Sequence, residues 1–213
     1  MTDLPSPEPR ADSAPPVPMR RLVLVAPDDR LFAERYRWLT GIAAGAGLSV
    51  FVATRAGPHQ GAIEAGGARV VSLGDEGSGI NPMTAGYAAG QLAAALKGLK
   101  ADIVHAIGPR GILVGGTAAA MAGVDARIYT PAGFGALGRR SGAAGRLARA
   151  GFGRLIRGPL ATRRTRFLLE EAAEARALGL DPLDTGVTLL SGSLADEPAR
   201  ASVAHLYAGL LTA

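Results

Sequence analysis

Asp102–Val124 reads DIVHAIGPRGILVGGTAAAMAGV. Its first part, Asp102–Ile107, is a short apolar and β-branched run, the signature of a strand buried on both faces. After Gly108 and Pro109 the pattern changes to an Ala-rich, small-residue stretch of helical length, ending near Ala122 at a glycine stop. A doubly buried strand feeding a helix is the repeating unit of a parallel sheet.

Working outward, the same alternation recurs. Upstream lie LVLVAP (Leu22–Pro27), a helical pattern of Leu31, Trp38, Leu39, Ile42 and Ala46, then LSVFVAT (Leu48–Thr54). A short helix near Gly61–Ala65, the strand RVVSL (Arg69–Leu73), a Gly-rich connection from Gly74 to Met83 and a helix to Leu99 complete that half. Downstream come RIYTPA (Arg127–Ala132), a glycine loop, a basic helix, FLLE (Phe167–Glu170), a helix over Glu171–Leu178, VTLLS (Val187–Ser191) and a last helix from Ala199 to Leu211. Apolar strands separated by helices predict one α/β domain, a doubly wound parallel sheet with helices on both faces. Its ligand-binding edge is the carboxyl end of the strands, which directs attention to Asp28 and Asp29, Arg55, Gly108–Arg110 and Gly133–Gly138.

A chain of 213 residues accommodates one such domain and not a second. The opening MTDLPSPEPRADSAPPVPM has no apolar run and reads as a disordered leader over residues 1–20. The domain is expected over 21–196, followed by a C-terminal helix over 197–213 that packs back on it. With no Cys and three His, a disulfide framework or ordinary structural zinc site is excluded, and a reducing, cytoplasmic setting is expected.

The charge is localised. The chain carries 23 Lys and Arg against 18 Asp and Glu, a net of +5. Nine arginines and no acid lie between Arg139 and Arg166, so the remaining 14 bases face 18 acids and the rest of the protein is at −4. Within the basic helix, Leu147, Phe152, Leu155, Ile156 and Leu160 fall on one half of a helical wheel. Arg146, Arg154 and Arg157 fall on the other, with Arg149 at the border. Two readings of this amphipathic helix stand open. Its apolar half inserts into an anionic membrane surface, on the inner face of the cytoplasmic membrane, or the same half packs on the sheet and leaves the arginines in water. Nucleic acid is not an expected partner, since aromatic residues are sparse near the arginines and no nucleic-acid motif is present.

Other motifs are less informative. Gly133, Gly135 and Gly138 spell G-x-G-x-x-G after a strand, but the dinucleotide fingerprint belongs in the first βα turn and needs an acid about 20 residues on. Here that region is an acid-free arginine run, and no bound cofactor is expected. Asp28 and Asp29 are adjacent, so they point apart, and one is expected to cap a helix. His105 lies in an otherwise core-like strand, and its reading is divided between a structural histidine and a site residue.

Taken together, these segments resemble the N-terminal, acceptor-side domain of family-4-like glycosyltransferases of the two-domain GT-B type. The likeness is carried by Asp102–Val124 and by PDDRLF (Pro27–Phe32), FVAT (Phe51–Thr54), GINP (Gly79–Pro82), TPAGFG (Thr130–Gly135) and LLSGSLAD (Leu189–Asp196). The resemblance implies transfer of a sugar from a nucleotide-sugar co-substrate to a hydroxyl acceptor, which a lipid could carry. It implies an acceptor cleft near Asp28, Asp29, Gly108, Gly133, Phe134 and Gly135, with His105 as the candidate catalytic residue. It also implies membrane or anion contact by Arg146, Arg149, Arg154 and Arg157. The sequence departs from the family in carrying Glu34, Arg35 and Tyr36 where relatives have Ser-His-Arg, and Ile107 where they have a second His. The donor-binding domain is also missing, so a separate donor-domain chain is the expected partner. The alternative is a non-catalytic membrane-surface or protein-interaction module, or the remnant of a longer transferase.

Overall fold

A computed structural model describes residues 19–55, 57–74, 82–138, 142–190 and 196–212. Most of the leader, Gly79–Asn81, Arg139, Arg140 and Ser191–Ala195 lie outside the described residues. Among the described residues seven strands form one sheet in the order β3-β2-β1-β4-β5-β6-β7. They are β1 (Arg21–Val25), β2 (Ser49–Arg55), β3 (Arg69–Leu73), β4 (Ile103–Ile107), β5 (Ala126–Thr130), β6 (Thr165–Leu169) and β7 (Val187–Leu189). Every pairing is parallel. The chain winds outward from β1 to β3, returns, and winds outward again from β4 to β7. The doubly wound α/β class is therefore the observed one, and its switch point lies between β1 and β4.

Among the described residues eight α-helices connect and cover the strands: α1 (Asp29–Leu31), α2 (Trp38–Gly45), α3 (Gln60–Glu64), α4 (Pro82–Gly98), α5 (Gly108–Ala122), α6 (Gly142–Arg157), α7 (Ala172–Ala177) and α8 (Glu197–Thr212). A π-helical turn, Phe32–Tyr36, joins α1 to α2. The period-2 geometry of the strands divides their side chains between two cores. Val23, Val25, Val104 and Tyr129 pack with Leu92, Ile112, Phe152 and Ile156 of α4, α5 and α6. Leu22, Leu24, Ile103 and Ile128 face the other way, onto Phe32, Tyr36, Leu39 and Ile63. The same layer holds Val203, Leu206, Tyr207 and Leu210 of α8, so the C-terminal helix lies on the sheet.

The small residues of α5 have a packing cause. A Cβ on Gly111 would come within 2.9 Å of the Val25 carbonyl oxygen, and one on Gly115 within 3.1 Å of the Ala106 Cβ. Absent side chains thus let α5 sit directly on β1 and β4 and close the sheet at its switch point.

The basic helix resolves one of the two open readings. Phe152, Ile156 and Leu160 are buried in the core, and Leu155 is packed against it. The exit is pinned as well: the Leu160 carbonyl accepts the Tyr129 hydroxyl at 2.6 Å and the Arg127 Nη1 donor at 2.8 Å. The expectation of an apolar half free to enter a membrane is corrected, because the sheet already covers that half. Leu147 alone of the five stays exposed, at 72%.

Candidate functional site

A cleft of about 460 Å³ opens beside the carboxyl ends of β5 and β6. Gly133 and Phe134 form one wall, Glu170, Glu171 and Glu174 another, and Arg149 of α6 contributes to the rim. The first wall is a short 3₁₀ helix, Ala132–Leu137, with unusual backbone at its start. Ala132, Gly133 and Phe134 have φ of +57°, +67° and +64°. Glycine adopts this left-handed conformation without a Cβ penalty, whereas Ala132 and Phe134 each carry a cost of roughly 1–2 kcal/mol. The turn is held despite that cost by the Phe134 N–H donating to the Pro131 carbonyl at 3.2 Å and by burial of the Phe134 ring.

Glu174 ties the two walls together. Its Oε1 accepts the Gly133 N–H at 3.0 Å and its Oε2 accepts the Glu170 N–H at 3.2 Å. The side chain is almost wholly buried, and burial pushes its carboxyl above the ordinary range, opposed by those two backbone donors. Neighbouring Glu170 is more open, its side chain 29% exposed. Arg35 Nη2 lies 3.4 and 3.5 Å from its two carboxylate oxygens, and the Tyr36 hydroxyl donates to Oε1 at 3.2 Å. Burial, followed by the charge of Glu170, pushes the Tyr36 phenol well above its usual range, so it remains a proton donor. The π-helical turn carries Arg35 and Tyr36 at the carboxyl edge of the sheet; such turns recur at functional sites.

The other residues singled out from the sequence are placed as follows. Gly133 and Phe134 line the cleft, and Gly135 belongs to the same turn. Gly108 is buried as the first residue of α5. Asp28 is an N-cap, accepting the Leu31 N–H at 2.7 Å. Asp29 is buried and accepts the His59 N–H at 2.8 Å, tying the loop after β2 to the start of α1. Neither aspartate lines this cleft: Asp28 is engaged by the backbone of its own helix start and Asp29 by the amide of His59, 30 residues on.

His105 is corrected more strongly. It is the middle residue of β4, has no exposed surface, and has both ring nitrogens in contact with hydroxyls of the core. Burial lowers its pKa to about 3. A ring with no exposed surface and both nitrogens engaged is built into the core and does not line the cleft. Arg146, Arg154 and Arg157 are exposed, while half-buried Arg149 belongs to the cleft.

Sequence reasoning passed over Glu170 and Glu174, and met Arg35 and Tyr36 only as departures from the family pattern. The available signal was EExxE, Glu170–Glu174, directly after an apolar strand and therefore at the ligand-binding edge of a parallel sheet.

At the switch point itself, the cavity beside Val25, Pro27, Arg55 and Arg110 is only about 30 Å³, enough for one water. The first βα turn there reads Ala26-Pro27-Asp28, without the glycines that let a dinucleotide pyrophosphate approach backbone.

No family model matches the chain, and no curated protein matches it. Solved structures do. A glycosyltransferase from Rickettsia africae ESF-5 superposes with a TM-score of 0.59 at 11% identity, over 82% of this chain and 43% of that one. A short chain dehydrogenase from Mycobacterium smegmatis gives 0.50 at 13% identity, over 86% and 97%. MurG from Acinetobacter baumannii gives 0.40 at 12% identity, over 87% and 71%. The first of these likenesses shows a Rossmann-like fold shared with a glycosyltransferase. The chain spans less than half the length of that transferase.

Proposed function

We propose that the chain is the acceptor-side half of a glycosyltransferase and that the cleft beside β5 and β6 receives the acceptor hydroxyl. The observation that carries this reading is the pair of carboxylates at the carboxyl edge of the sheet, Glu170 accessible and Glu174 buried, each held by named donors. The likeness to less than half of a glycosyltransferase chain supports it. The short dehydrogenase is matched over nearly its whole length, but the first βα turn of this chain lacks the glycines by which such a turn approaches a pyrophosphate, which favours the transferase reading.

In this proposal Glu170 is the general base. As the acceptor oxygen bonds to the anomeric carbon of the donor sugar, Glu170 takes the hydroxyl proton and the nucleoside diphosphate leaves with the electrons of the broken C–O bond. Arg35 and Tyr36 orient the carboxylate, and Glu174 builds the wall through the Gly133 and Glu170 amides. His105 has no part in the step. The nucleotide sugar is a co-substrate held by a donor-binding domain or partner chain outside the described residues.

Glu170→Gln should lower kcat/KM in the reconstituted pair by about 10²–10⁴ while leaving acceptor binding within a few-fold. A wild-type rate in Glu170→Gln would remove Glu170 from the role.

Among the described residues no helix is long and apolar enough to cross a membrane. We further propose that contact with an anionic membrane, on the cytoplasmic side, is made chiefly through charge, because Phe152 and Ile156 of the apolar half of α6 are buried and only Leu147 of it is exposed, while Arg146, Arg154 and Arg157 are exposed. At about 1 kcal/mol per arginine, reversing all three should weaken co-sedimentation with anionic vesicles at low salt by on the order of a hundred-fold or more. Unchanged sedimentation would favour a chain with no membrane role.

A further inference from the structure

Three side chains from distant parts of the sequence meet beneath α8. The Nδ1 of His105 lies 2.8 Å from the Tyr207 hydroxyl, and its Nε2 lies 2.8 Å from the Thr130 hydroxyl. His105 and Tyr207 are wholly buried and Thr130 almost so. The imidazole and phenol rings meet edge-on, 5.9 Å between centroids. A neutral imidazole has one donor and one acceptor nitrogen, so the chain is satisfied in either direction: tyrosine to imidazole to threonine, or the reverse. Each hydroxyl can serve as donor or acceptor, and no member is left wanting a partner.

The position of Thr130 makes this more than a core contact. It is the last residue of β5, and only Pro131 and Ala132 separate it from Gly133. Pro131 has little freedom in φ, and the left-handed run from Ala132 to Phe134 is a conformation the chain would leave if released. The Gly133 N–H is in turn one of the two donors that hold Glu174. A continuous series of hydrogen bonds and short backbone therefore runs from the C-terminal helix to the cleft wall.

We infer that docking of α8 sets the geometry of the β5 exit turn, and with it the Glu174 wall of the cleft, through Tyr207, His105 and Thr130. His105 is thus a positioning residue and not a catalytic one. The consequence for sugar transfer rests on the reading of the cleft given above; the mechanical link does not, and its test uses no substrate.

The test is amide hydrogen exchange by NMR on the full chain, with Tyr207→Phe, Thr130→Val and Thr130→Ser. Tyr207→Phe removes the first link at constant shape, Thr130→Val removes the second, and Thr130→Ser keeps the hydroxyl. Exchange at the Gly133 and Glu170 amides, the two that hold Glu174, is expected to accelerate at least ten-fold in Tyr207→Phe and Thr130→Val. In Thr130→Ser it should stay within three-fold of wild type, as should the Val23 and Leu24 amides of β1 in all three. The inference is overturned if Val203 on α8 exchanges faster in Tyr207→Phe while Gly133 and Glu170 keep their protection. It is equally overturned if all amides accelerate together, the mark of a purely global loss of stability. Should a variant not fold, the ¹⁵N shifts of the wild-type His105 ring are decisive: they must report a neutral imidazole with both nitrogens hydrogen-bonded, and a ring with either nitrogen free of a hydrogen bond would break the chain. Failure to transfer sugar, with the exchange pattern as described, would count against the function and leave the coupling intact.

Discussion

Between pH 7 and pH 3.5 the wild-type protein should lose several kcal/mol of stability that a His105→Gln variant does not lose. The cause is linkage at a buried ring. His105 has a pKa of about 3 in the folded chain, against an ordinary value of 6.5. Above 6.5 the ring is neutral in both states, and its burial and two hydroxyl contacts contribute in full. As pH falls below 6.5 the unfolded chain takes up a proton that the folded chain refuses, so stability declines until the pH approaches 3. At about 1.4 kcal/mol per pKa unit the ceiling is roughly 4–5 kcal/mol. Carboxylates also titrate in this window, but they do so in both proteins, so the difference between the two urea-unfolding curves isolates the imidazole. His105→Gln should start lower at pH 7, for it loses buried packing and leaves a hydroxyl partly unpaired, and the curves should converge on acidification. Parallel curves would mean that the ring is solvated and that its placement beneath α8 is wrong.

Gly153→Ala should be strongly destabilising, whereas Gly151→Ala, two residues away on the same helix, should be neutral or mildly stabilising. A Cβ on Gly153 would collide with the carbonyl oxygen of Leu178 and lie 2.9 Å from its carbonyl carbon. These are backbone atoms just past α7, and no rotamer change can move them aside. Helix α6 would have to shift as a body, loosening Phe152 and Ile156 in the core. Overpacking of this kind costs about 1–3 kcal/mol and more where backbone is struck, so about 3 kcal/mol and a fall in Tm of roughly 10 °C are expected. Gly151 is exposed with nothing within 4 Å of an added Cβ, and replacing it should contribute about 0.5–1 kcal/mol through helix propensity alone. Thermal melts of the two variants check both statements. A Gly153→Ala protein that melts like wild type would place α6 elsewhere, reopening the question of what covers its apolar half.

That question shows where the sequence stops being legible. The seven strands of the described residues could be read, because the inner ones are short, largely apolar buried runs, the edge strands β3 and β7 keep β-branched residues, and glycines punctuate the connections. The amphipathic pattern of α6 was equally legible, but periodicity reports that a face is apolar and not what covers it. Sheet and membrane demand the same residues, and only the contacts of Phe152, Ile156 and Leu160 decide between them. His105 illustrates the same limit in a strand. Its burial depends on α8, which returns to the sheet 102 residues later to bring Tyr207 against the ring.

The cleft was half legible. Gly133 and Phe134 could be located because they follow a strand at the carboxyl edge. Their left-handed backbone could not, since Ala132 and Phe134 are not residues that conformation favours. Glu170 and Glu174 were hidden among surface acids of an ordinary helix start. Their meaning comes from the pairing of β5 with β6, which brings the Gly133 amide to Glu174, and from the π-helical turn that carries Tyr36 to Glu170 across 134 residues of sequence. Long-range contacts of this kind leave no local trace.

We propose that this chain supplies the acceptor side of a transferase. The most direct test is reconstitution. The purified chain is mixed with candidate donor-domain chains, nucleotide sugars and a panel of hydroxyl acceptors, and product is followed by mass spectrometry. The account predicts glycosylated product only when both chains are present, and its loss with Glu170→Gln. It would be contradicted by the absence of both complex and turnover with every donor chain tried, which would make the protein a non-catalytic module built on the same sheet.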